Sequence, residues 1–307
     1  AFADLVCYWF EKARAQIETG QTQRAGLLAT NSIRGGANRA VLERIKATGE
    51  IFLGWSDNPW ILDGAAVRVS IVGFDNGTHF QKTLDGQPVG VINPDLTSNL
   101  ADLTRAVLLS ENQNISFQGP SPKAPFDIEA RIAQHLIRET NPSGRQNTDV
   151  VRPVVSAIDI AQGSRGLYTI DFALMESDEA SLYESPLQYV RDHVLPVRQQ
   201  RRDDYRGKWW QYARPRPDMR EAMRDCKRFI ATPRVSKHRI FAWYSKEVLA
   251  NDGTIAFARD DDYFFGVLHS RPHELWALRM GTWLGVGNDP RYTPTTTFET
   301  YPFPWPP

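Results

Sequence analysis

The first 75 residues constrain the fold most, because their apolar residues alternate between helical and strand spacing. Helical spacing follows Asp4, which we expect to cap a helix that ends at Gly20. The segments predicted after it are a strand over 24–30, a helix over 37–47 and strands over 50–55 and 65–74. This order of helix, strand, helix, strand, strand is typical of an α/β layer.

The last two of these strands are separated by nine residues, 56–64, which we interpret as a polar loop containing Trp60. So short a connection favours an antiparallel pair, because a parallel crossover needs about a dozen residues or more. A parallel sheet also needs strands that precede its first helix. We therefore expect an α/β layer that is incomplete at its front edge, in a chain that is the later part of a longer protein.

Turn signals dominate residues 76–125. Asp75-Asn76-Gly77 and Asp85-Gly86 predict a short β excursion between them, and residues 100–109 predict one or two helical turns. Further along, the patterns predict a helix over 127–138, strands near 169–172, 239–244 and 254–258, and a proline-rich end over 301–307 that excludes helix and central strand. The predicted fold class is α/β, an incomplete sheet over 1–80, followed by a mixed α+β domain over 81–307.

Composition excludes several classes of protein. The formal net charge is zero, which argues against a uniformly basic coat but leaves room for a local basic face. Cys7 and Cys226 form no CxxC pair, so we expect neither a disulfide framework nor a cysteine zinc site, and this usage fits a reducing cytoplasm. No apolar run approaches the ~20 residues that span a bilayer. We therefore expect no membrane partner.

The segment 191–239 carries the strongest functional signal. It contains 15 basic and 6 acidic residues, a formal charge of +9, and 12 of the 15 are arginines. Arginine pairs bidentately with phosphate or with a guanine edge, and the interleaved Trp209 and Trp210 are typical of nucleic-acid surfaces. The alternative is a solvated helix whose arginines pair with neighbouring aspartates.

From this segment and two later histidine and arginine positions we predict a set of DNA-binding residues. The set is Arg198, Arg201, Arg202, Arg206, Lys208, Trp209, Trp210, Arg216, Arg234, Ser236, Lys237, His238, Arg239, His269 and Arg271. Replacing Arg201, Arg202, Lys208, Arg234 and Lys237 by alanine should weaken DNA binding and flatten its salt dependence.

His269 and His273 are four residues apart, which is helical ligand spacing, but Pro272 lies between them and no cysteine is close. We favour loop histidines near a helix N-terminus over a metal site, and a turn of solvated acids for residues 259–263. The sequence contains no GxGxxG, Walker or GxSxG motif. We therefore predict no catalytic, metal-binding or cofactor-binding residue in this chain.

Several stretches, in this order, resemble the later half of gamma-type adenine-specific DNA methyltransferases, in particular MmeI-like restriction-modification proteins. They are residues 3–13, 24–33, 65–74, 147–153, 168–172, 183–186, 208–210, 228–233, 237–239, 261–266, 268–270 and 298–304. In that family the S-adenosylmethionine motif and the catalytic Asn-Pro-Pro-aromatic motif come first, and both are absent here. The resemblance implies that residues 1–80 belong to a methyltransferase domain and 81–307 to a connecting region and target-recognition domain.

The resemblance also implies a parent that flips an adenine out of the duplex and methylates it with S-adenosylmethionine, while this chain alone needs no cofactor. Trp60 is the candidate for an aromatic face of the target-base pocket, with a hydrophobic staple of the 56–64 loop as the alternative. The implied partners are double-stranded DNA and the missing N-terminal catalytic region or a separate catalytic chain. A non-enzymatic specificity module and a complete enzyme of unknown type are the alternative functions.

Overall fold

The computed structural model describes residues 3–62, 65–98, 103, 106–200, 207–284 and 289–304. The chain divides into two compact units. Unit 1 comprises Ala1–Leu108 with Leu275–Thr300, and unit 2 comprises Leu109–Glu274 with Tyr301–Pro307. None of the described helices is long and apolar enough to cross a membrane.

Unit 1 contains two helices and a five-stranded sheet before the chain leaves it. In chain order these elements are α1 (Val6–Glu18), β1 (Arg24–Thr30), a 3-10 turn (Asn31–Arg34), α2 (Gly36–Thr48), β2 (Glu50–Leu62), β3 (Ala65–Asp75), β4 (Lys82–Leu84) and β5 (Gln87–Val89). The strand order is β1-β3-β2-β4-β5, and among the described pairs of this sheet only β2 and β4 run parallel. The helical apolar stripes pack on this sheet through Phe10, Leu42 and Ile45, which are 1% exposed or less.

The structure confirms the predicted order of elements and the antiparallel pairing of β2 with β3, but the predicted 56–64 loop is wrong. Strand β2 continues to Leu62 because two register shifts absorb its polar stretch, between Ile51 and Leu53 and between Trp55 and Asn58. Pro59 is tolerated because β4 pairs only with Leu53 and Gly54, before Pro59 is reached.

Two local predictions in unit 1 have different outcomes. Asp85 and Gly86 have φ values of 50° and 79° and join β4 to β5, which confirms the short β excursion and explains the Asp-Gly pair. Asp4 does not cap α1. Its carboxylate accepts hydrogen bonds from Asn38 at 2.7 Å and Ser32 at 3.2 Å, and no side chain caps that helix.

Unit 2 contains two small sheets with helices packed around them. Its elements are β6 (Ser116–Gln118), β7 (Asp127–Ile128), α3 (Ala130–Arg138), β8 (Val151–Val155), α4 (Ala157–Gln162), β9 (Tyr168–Ile170), α5 (Ser177–Ala180), α6 (Glu184–His193), α7 (Leu195–Gln199), α8 (Pro217–Ala222), β10 (Arg228–Pro233), β11 (Ala242–Ser245), β12 (Leu249–Ala250), β13 (Thr254–Phe257) and α9 (Asp262–Leu268). The sheets have the orders β11-β10-β13-β6 and β12-β8-β9-β7.

Helix α10 (Arg271–Met280) passes from unit 2 into unit 1, where β14 (Thr282–Leu284), β15 (Asp289–Arg291) and a π-helical turn (Pro294–Phe298) follow. The two units therefore differ from the predicted division at residue 80. The reason is that β4 and β5 extend the sheet of unit 1 beyond residue 80, and the chain returns to unit 1 after Glu274.

The strands predicted in unit 2 exist with shifted bounds, as β9, β11 and β13. The predicted helix over 127–138 is confirmed only from Ala130, because Asp127 and Ile128 pair with β9. In the helical turn predicted within 100–109, residues 100–102, 104 and 105 lie outside the described residues, and residues 106–109 form neither helix nor strand. Residues 301–304 form neither helix nor strand, as predicted, and Phe303 stacks on Phe264 with ring centroids 5.1 Å apart.

Candidate nucleic-acid interface

One end of the sheet β11-β10-β13-β6 brings together loops that are distant in sequence. Pro233, the last residue of β10, pairs with Thr254, the first residue of β13. The next N–H, that of Arg234, donates to the carbonyl of Gly253 at 2.8 Å. Strand β6 ends at Gln118, opposite Ile255. The turn 251–253 therefore meets the chain that leaves β6 and the chain that leaves β10.

Five basic residues lie in the chain segments that meet at this end of the sheet, and we call them the basic rim. The rim consists of Lys123, Arg214, Arg216, Arg234 and Lys237. Lys123 Nζ lies 3.5 Å from Asp252 Oδ2, and Arg216 Nη2 donates to Gln118 Oε1 at 3.4 Å. Arg214 exchanges two backbone hydrogen bonds with Ser121, at 3.0 and 3.1 Å. Lys123 is the member of the rim that pairs with the carboxylate of Asp252.

The chain that leaves β6 passes very close to the turn 251–253 at Gly119. A Cβ atom at this position would lie 2.1 Å from the carbonyl oxygen of Asn251, so glycine is required there. Ser121 Oγ then donates to Asp252 Oδ2 at 2.6 Å, and Gln118 Nε2 donates to the carbonyl of Asp252 at 2.9 Å. These bonds fix the backbone from which Lys123 and Arg214 project into solvent.

Arg216 has an unusual conformation at the start of α8. Its φ is 55°, in the left-handed region, and Pro217 follows it as the first helical residue. Its Nε is buried and hydrogen-bonds to no group in the described part of the chain. Both features cost stability and are common where a side chain is held for binding rather than for packing.

The structure separates the predicted DNA-binding residues into two groups. Arg198 is a correction, because it is 2% exposed and donates to the carbonyls of Pro122 at 3.0 Å and Gln211 at 2.8 Å. Its guanidinium also lies 5.4 Å from the ring centroid of Phe126. Arg198 therefore holds the core of unit 2 together and faces no ligand.

Trp210 and Arg239 are also structural. Trp210 is 8% exposed and donates its indole N–H to the carbonyl of Met175 at 2.9 Å. Arg239 Nη1 donates to Thr232 Oγ1 at 3.1 Å and to the carbonyl of Pro233. These contacts close the loop that leaves β10, so the basic character of Arg239 is used inside the protein.

Lys237 and His238 are exposed in the loop after Arg234, and Ser236 stabilises that loop by donating to the carbonyl of His238 at 2.8 Å. Lys208 is exposed and pairs with Glu176 at 2.5 Å. Trp209 is half-buried against Trp210, with ring centroids 5.7 Å apart. The predictions for Arg201, Arg202 and Arg206 lie outside the described residues.

The two histidines of this pair differ in burial. His269 is exposed at the end of α9, with its ring 5.3 Å from that of Phe241. His273 lies within α10 rather than in a loop and is completely buried, with Nδ1 2.8 Å from the carbonyl of Leu268. Burial lowers the pKa of His273 to about 4. Arg271 is exposed and pairs with Glu274 at 2.5 Å.

No three His, Cys, Asp or Glu side chains across the described ranges converge as metal ligands would. Trp60 lies in β2 opposite Val67 and is 42% exposed. The alternative in which Trp60 staples a 56–64 loop is wrong because residues 56–62 lie in strand β2. The ring remains accessible in unit 1.

Sequence reasoning missed Lys123, Gln118 and Asp252, which come from outside the arginine-rich segment. The available signal was the run Gly119-Pro120-Ser121-Pro122, which predicts a turn but does not indicate what the turn approaches. Only the pairing of β6 with β13 and of β13 with β10 places these residues beside Arg234.

Comparisons with known proteins identify a family and a similar fold. A family model described as MmeI, target recognition domain, matches residues 132–305. Among solved structures, the chain is similar to the Type IIL restriction-modification enzyme MmeI, solved in complex with DNA, with a TM-score of 0.73 and 19% sequence identity. The match covers 99% of this chain and 42% of that chain, so the present sequence spans less than half the length of MmeI.

A second solved structure, the type IIG restriction endonuclease BpuSI, matches with a TM-score of 0.35 and 7% identity over 90% of this chain and 39% of that chain. That TM-score is too low to show a shared fold. No curated protein matches the chain.

Proposed function

The chain belongs to the family of MmeI target recognition domains, and we propose that it selects the DNA sequence on which a restriction-modification enzyme acts. The observation that carries this proposal is the basic rim, five basic residues in the chain segments that meet at one end of a sheet. The likeness of the fold to MmeI, which was solved in complex with DNA, supports it.

The side chains of the rim have the chemistry that DNA recognition requires. Lysine and arginine neutralise phosphates, and the arginine fork also pairs with the O6 and N7 edge of guanine in the major groove. Gln118 and Ser121 add amide and hydroxyl groups beside Arg216 and Arg214. We propose that Lys123 and Lys237 contact phosphates and that Arg214 and Arg216 reach base edges.

We further propose that unit 1 is the later part of an adenine-N6 methyltransferase domain. Strand β1 pairs with β3 on one side, and no described strand pairs with its other side. Leu28 in β1 and Tyr8 and Trp9 in α1 are exposed, with 40%, 59% and 53% of their surface accessible. An edge strand with apolar neighbours is suited to pairing with a further strand. The partner would be a catalytic region, on the same or a separate chain.

S-adenosylmethionine is proposed for the intact parent and is not assigned to any residue of this chain. The sequence has no glycine-rich loop that could receive the cofactor, so its own residues do not fit the group. Trp60 is proposed as an aromatic face for a flipped adenine, because its exposed ring could stack on an unpaired base.

The alternative is a specificity module that binds DNA and docks a separate catalytic chain. Calorimetric titration with S-adenosylmethionine separates a self-sufficient enzyme from both of these proposals. We expect no heat of binding, and saturable binding by this chain alone would contradict the assignment of the cofactor to another region.

Selection from a random duplex library tests the proposed function directly. The chain should enrich one DNA word over successive rounds, and the Arg216→Ala variant should relax the preference at one position of that word by roughly 1–3 kcal/mol. A matched variant, Arg131→Ala on the exposed face of α3, should enrich the same word as the wild type. Enrichment of no word by the wild type would contradict the proposal.

A further inference from the structure

Unit 1 contains a cavity of about 290 Å³ that the proposed recognition site does not use. It lies where β1 ends and α2 begins, and α10 and β14 form its other wall. In open α/β sheets, ligands bind beyond the carboxyl ends of strands, where helix N-termini face them. The charged groups that line the cavity are therefore candidates for contacts with a ligand.

Arg34 is the first of two arginines in this cavity. Its Nε donates to the carbonyl of Asp95 at 3.0 Å, and its Nη1 donates to the carbonyl of Ser56 at 3.3 Å. Both acceptors are neutral, so these bonds orient the guanidinium without neutralising its charge. Burial lowers the pKa of Arg34, against the opposing influence of Asp57 and Asp95. The site would gain from an anion.

Arg279 is the second arginine, and it is unsatisfied. Its Nε and Nη2 are buried, and neither hydrogen-bonds to any group in the described ranges. The carboxylate of Asp95 is 3.9 Å from Nε, and its Oδ1 accepts a hydrogen bond from Thr97 at 2.6 Å. Buried N–H donors without acceptors are costly, and they usually indicate a ligand or an ordered water.

The N-terminus of α2 adds a third source of positive potential. Gly35, its N-cap residue, lines the cavity, and no side chain caps this 13-residue helix. A Cβ at Gly35 would lie 3.2 Å from Thr282 Cγ2, so glycine permits the close approach of the two walls. Helix N-termini attract anions through their free N–H groups and the helix dipole.

Two arginines and a helix N-terminus match the charge and the hydrogen-bonding pattern of a phosphate. Of the carboxylates that act on Arg34, Asp95 lines the cavity, Asp57 pairs with Arg68 at 2.8 Å, and Asp85 accepts hydrogen bonds from Ser56. Leu275, Leu278 and Trp283 supply apolar surface beside the arginines, which would suit the sugar next to a phosphate in a polynucleotide. We propose that this cavity binds a phosphate group, and that DNA supplies it from the backbone next to the recognised sequence. The DNA source rests on the proposed function, whereas the phosphate chemistry does not.

The test follows the Arg279 side chain by nuclear magnetic resonance of the whole chain labelled with ¹⁵N-arginine. The Nε–Hε signal that is missing in Arg279→Met identifies the residue, and Arg44→Met, on the exposed part of α2, is the matched control. Inorganic phosphate and a duplex DNA are titrated separately. We expect both to shift the Arg279 signal, and Arg279→Met to lower the salt slope of DNA binding by about one where Arg44→Met leaves it unchanged.

The two arms separate the possible failures. If the wild type binds DNA and the Arg279 signal moves with neither titrant, the cavity proposal is overturned while the proposed function stands. If phosphate moves the signal and DNA does not, the DNA source is overturned. If the wild type binds no DNA at all, the proposed function fails, and the phosphate titration alone then decides the chemistry of the cavity.

Discussion

Basic residues of the same segment, 191–239, have two opposite roles in the structure. Arg198 and Arg220 are bound within unit 2, one to backbone carbonyls and the other to Asp171 in a bidentate pair at 2.8 and 3.0 Å. Arg214 and Lys237 project from backbone that is itself fixed at the end of a sheet. Local charge density therefore locates a basic region of the chain. Only the contacts of each side chain distinguish a structural cation from one that is available to a ligand.

The buried ion pair gives the largest expected difference between these groups. Asp171 is 2% exposed, and Asp171→Asn would leave Arg220 buried beside a neutral amide. We expect unit 2 to lose about 4 kcal/mol of unfolding free energy, because a partly buried charge loses its counter-ion. Urea denaturation followed by near-ultraviolet circular dichroism measures this. A loss below about 1 kcal/mol would show that the pair is solvated and that Arg220 is not a structural cation of unit 2.

Arg198→Ala should cost somewhat less, about 3 kcal/mol, since it leaves the carbonyls of Pro122 and Gln211 without their donor. Arg224→Ala is its matched control, because Arg224 is exposed just after α8 and pairs with Glu221, which is itself exposed. That exposed pair should contribute about 0.5 kcal/mol or less. Equal effects of the two substitutions on the urea midpoint would contradict the structural role of Arg198.

Buried His273 and exposed His269 should differ in their effect on how stability depends on pH. The pKa of His273 is about 4 in the folded chain and about 6.5 when unfolded, so the unfolded state binds the proton first as the pH falls. The stability that the neutral ring provides is complete above pH 6.5 and is lost between pH 6.5 and 4. This loss should amount to about 3 kcal/mol and should be absent in His273→Met.

The exposed His269 serves as the control for this pH effect. Denaturation midpoints of His269→Met should change with pH as those of the wild type do. A wild-type midpoint that stays constant between pH 7 and pH 4 would mean that His273 is not buried in its neutral form.

Sequence patterns predicted the parts of the fold that depend on local periodicity. Helices α1 and α2 and strand β3 were predicted because their apolar faces repeat at the spacing of the element. Strand β2 was missed beyond Trp55 because bulges place Ser56 and Asp57 within a strand, which no alternating pattern indicates.

The sequence predicted the basic segment of the candidate interface, but it did not predict which residues lie together in space. A count of arginines cannot show that Arg198 meets two carbonyls, because Pro122 is 76 residues away along the chain. Lys123 and Asp252 were missed because long-range strand pairing, rather than composition, places them beside Arg234.

The smallest expected effect on stability belongs to the rim. Arg214→Ala combined with Lys237→Ala should change the unfolding free energy of unit 2 by about 0.5 kcal/mol or less, as is usual for exposed side chains away from packing contacts. The same urea experiment measures it. A loss of 2 kcal/mol or more would mean that Arg214 and Lys237 are structural cations like Arg198.

DNA affinity measured across a series of salt concentrations tests the central claim, that the basic rim contacts DNA. For the Arg214→Ala/Lys237→Ala variant, the slope of log binding constant against log salt should fall in magnitude by about one, because Lys237 is the proposed phosphate contact, and affinity at low salt should drop. The matched variant, Arg131→Ala/Arg138→Ala on the exposed face of α3, should keep the wild-type slope. A rim variant with an unchanged slope and unchanged low-salt affinity would contradict the claim.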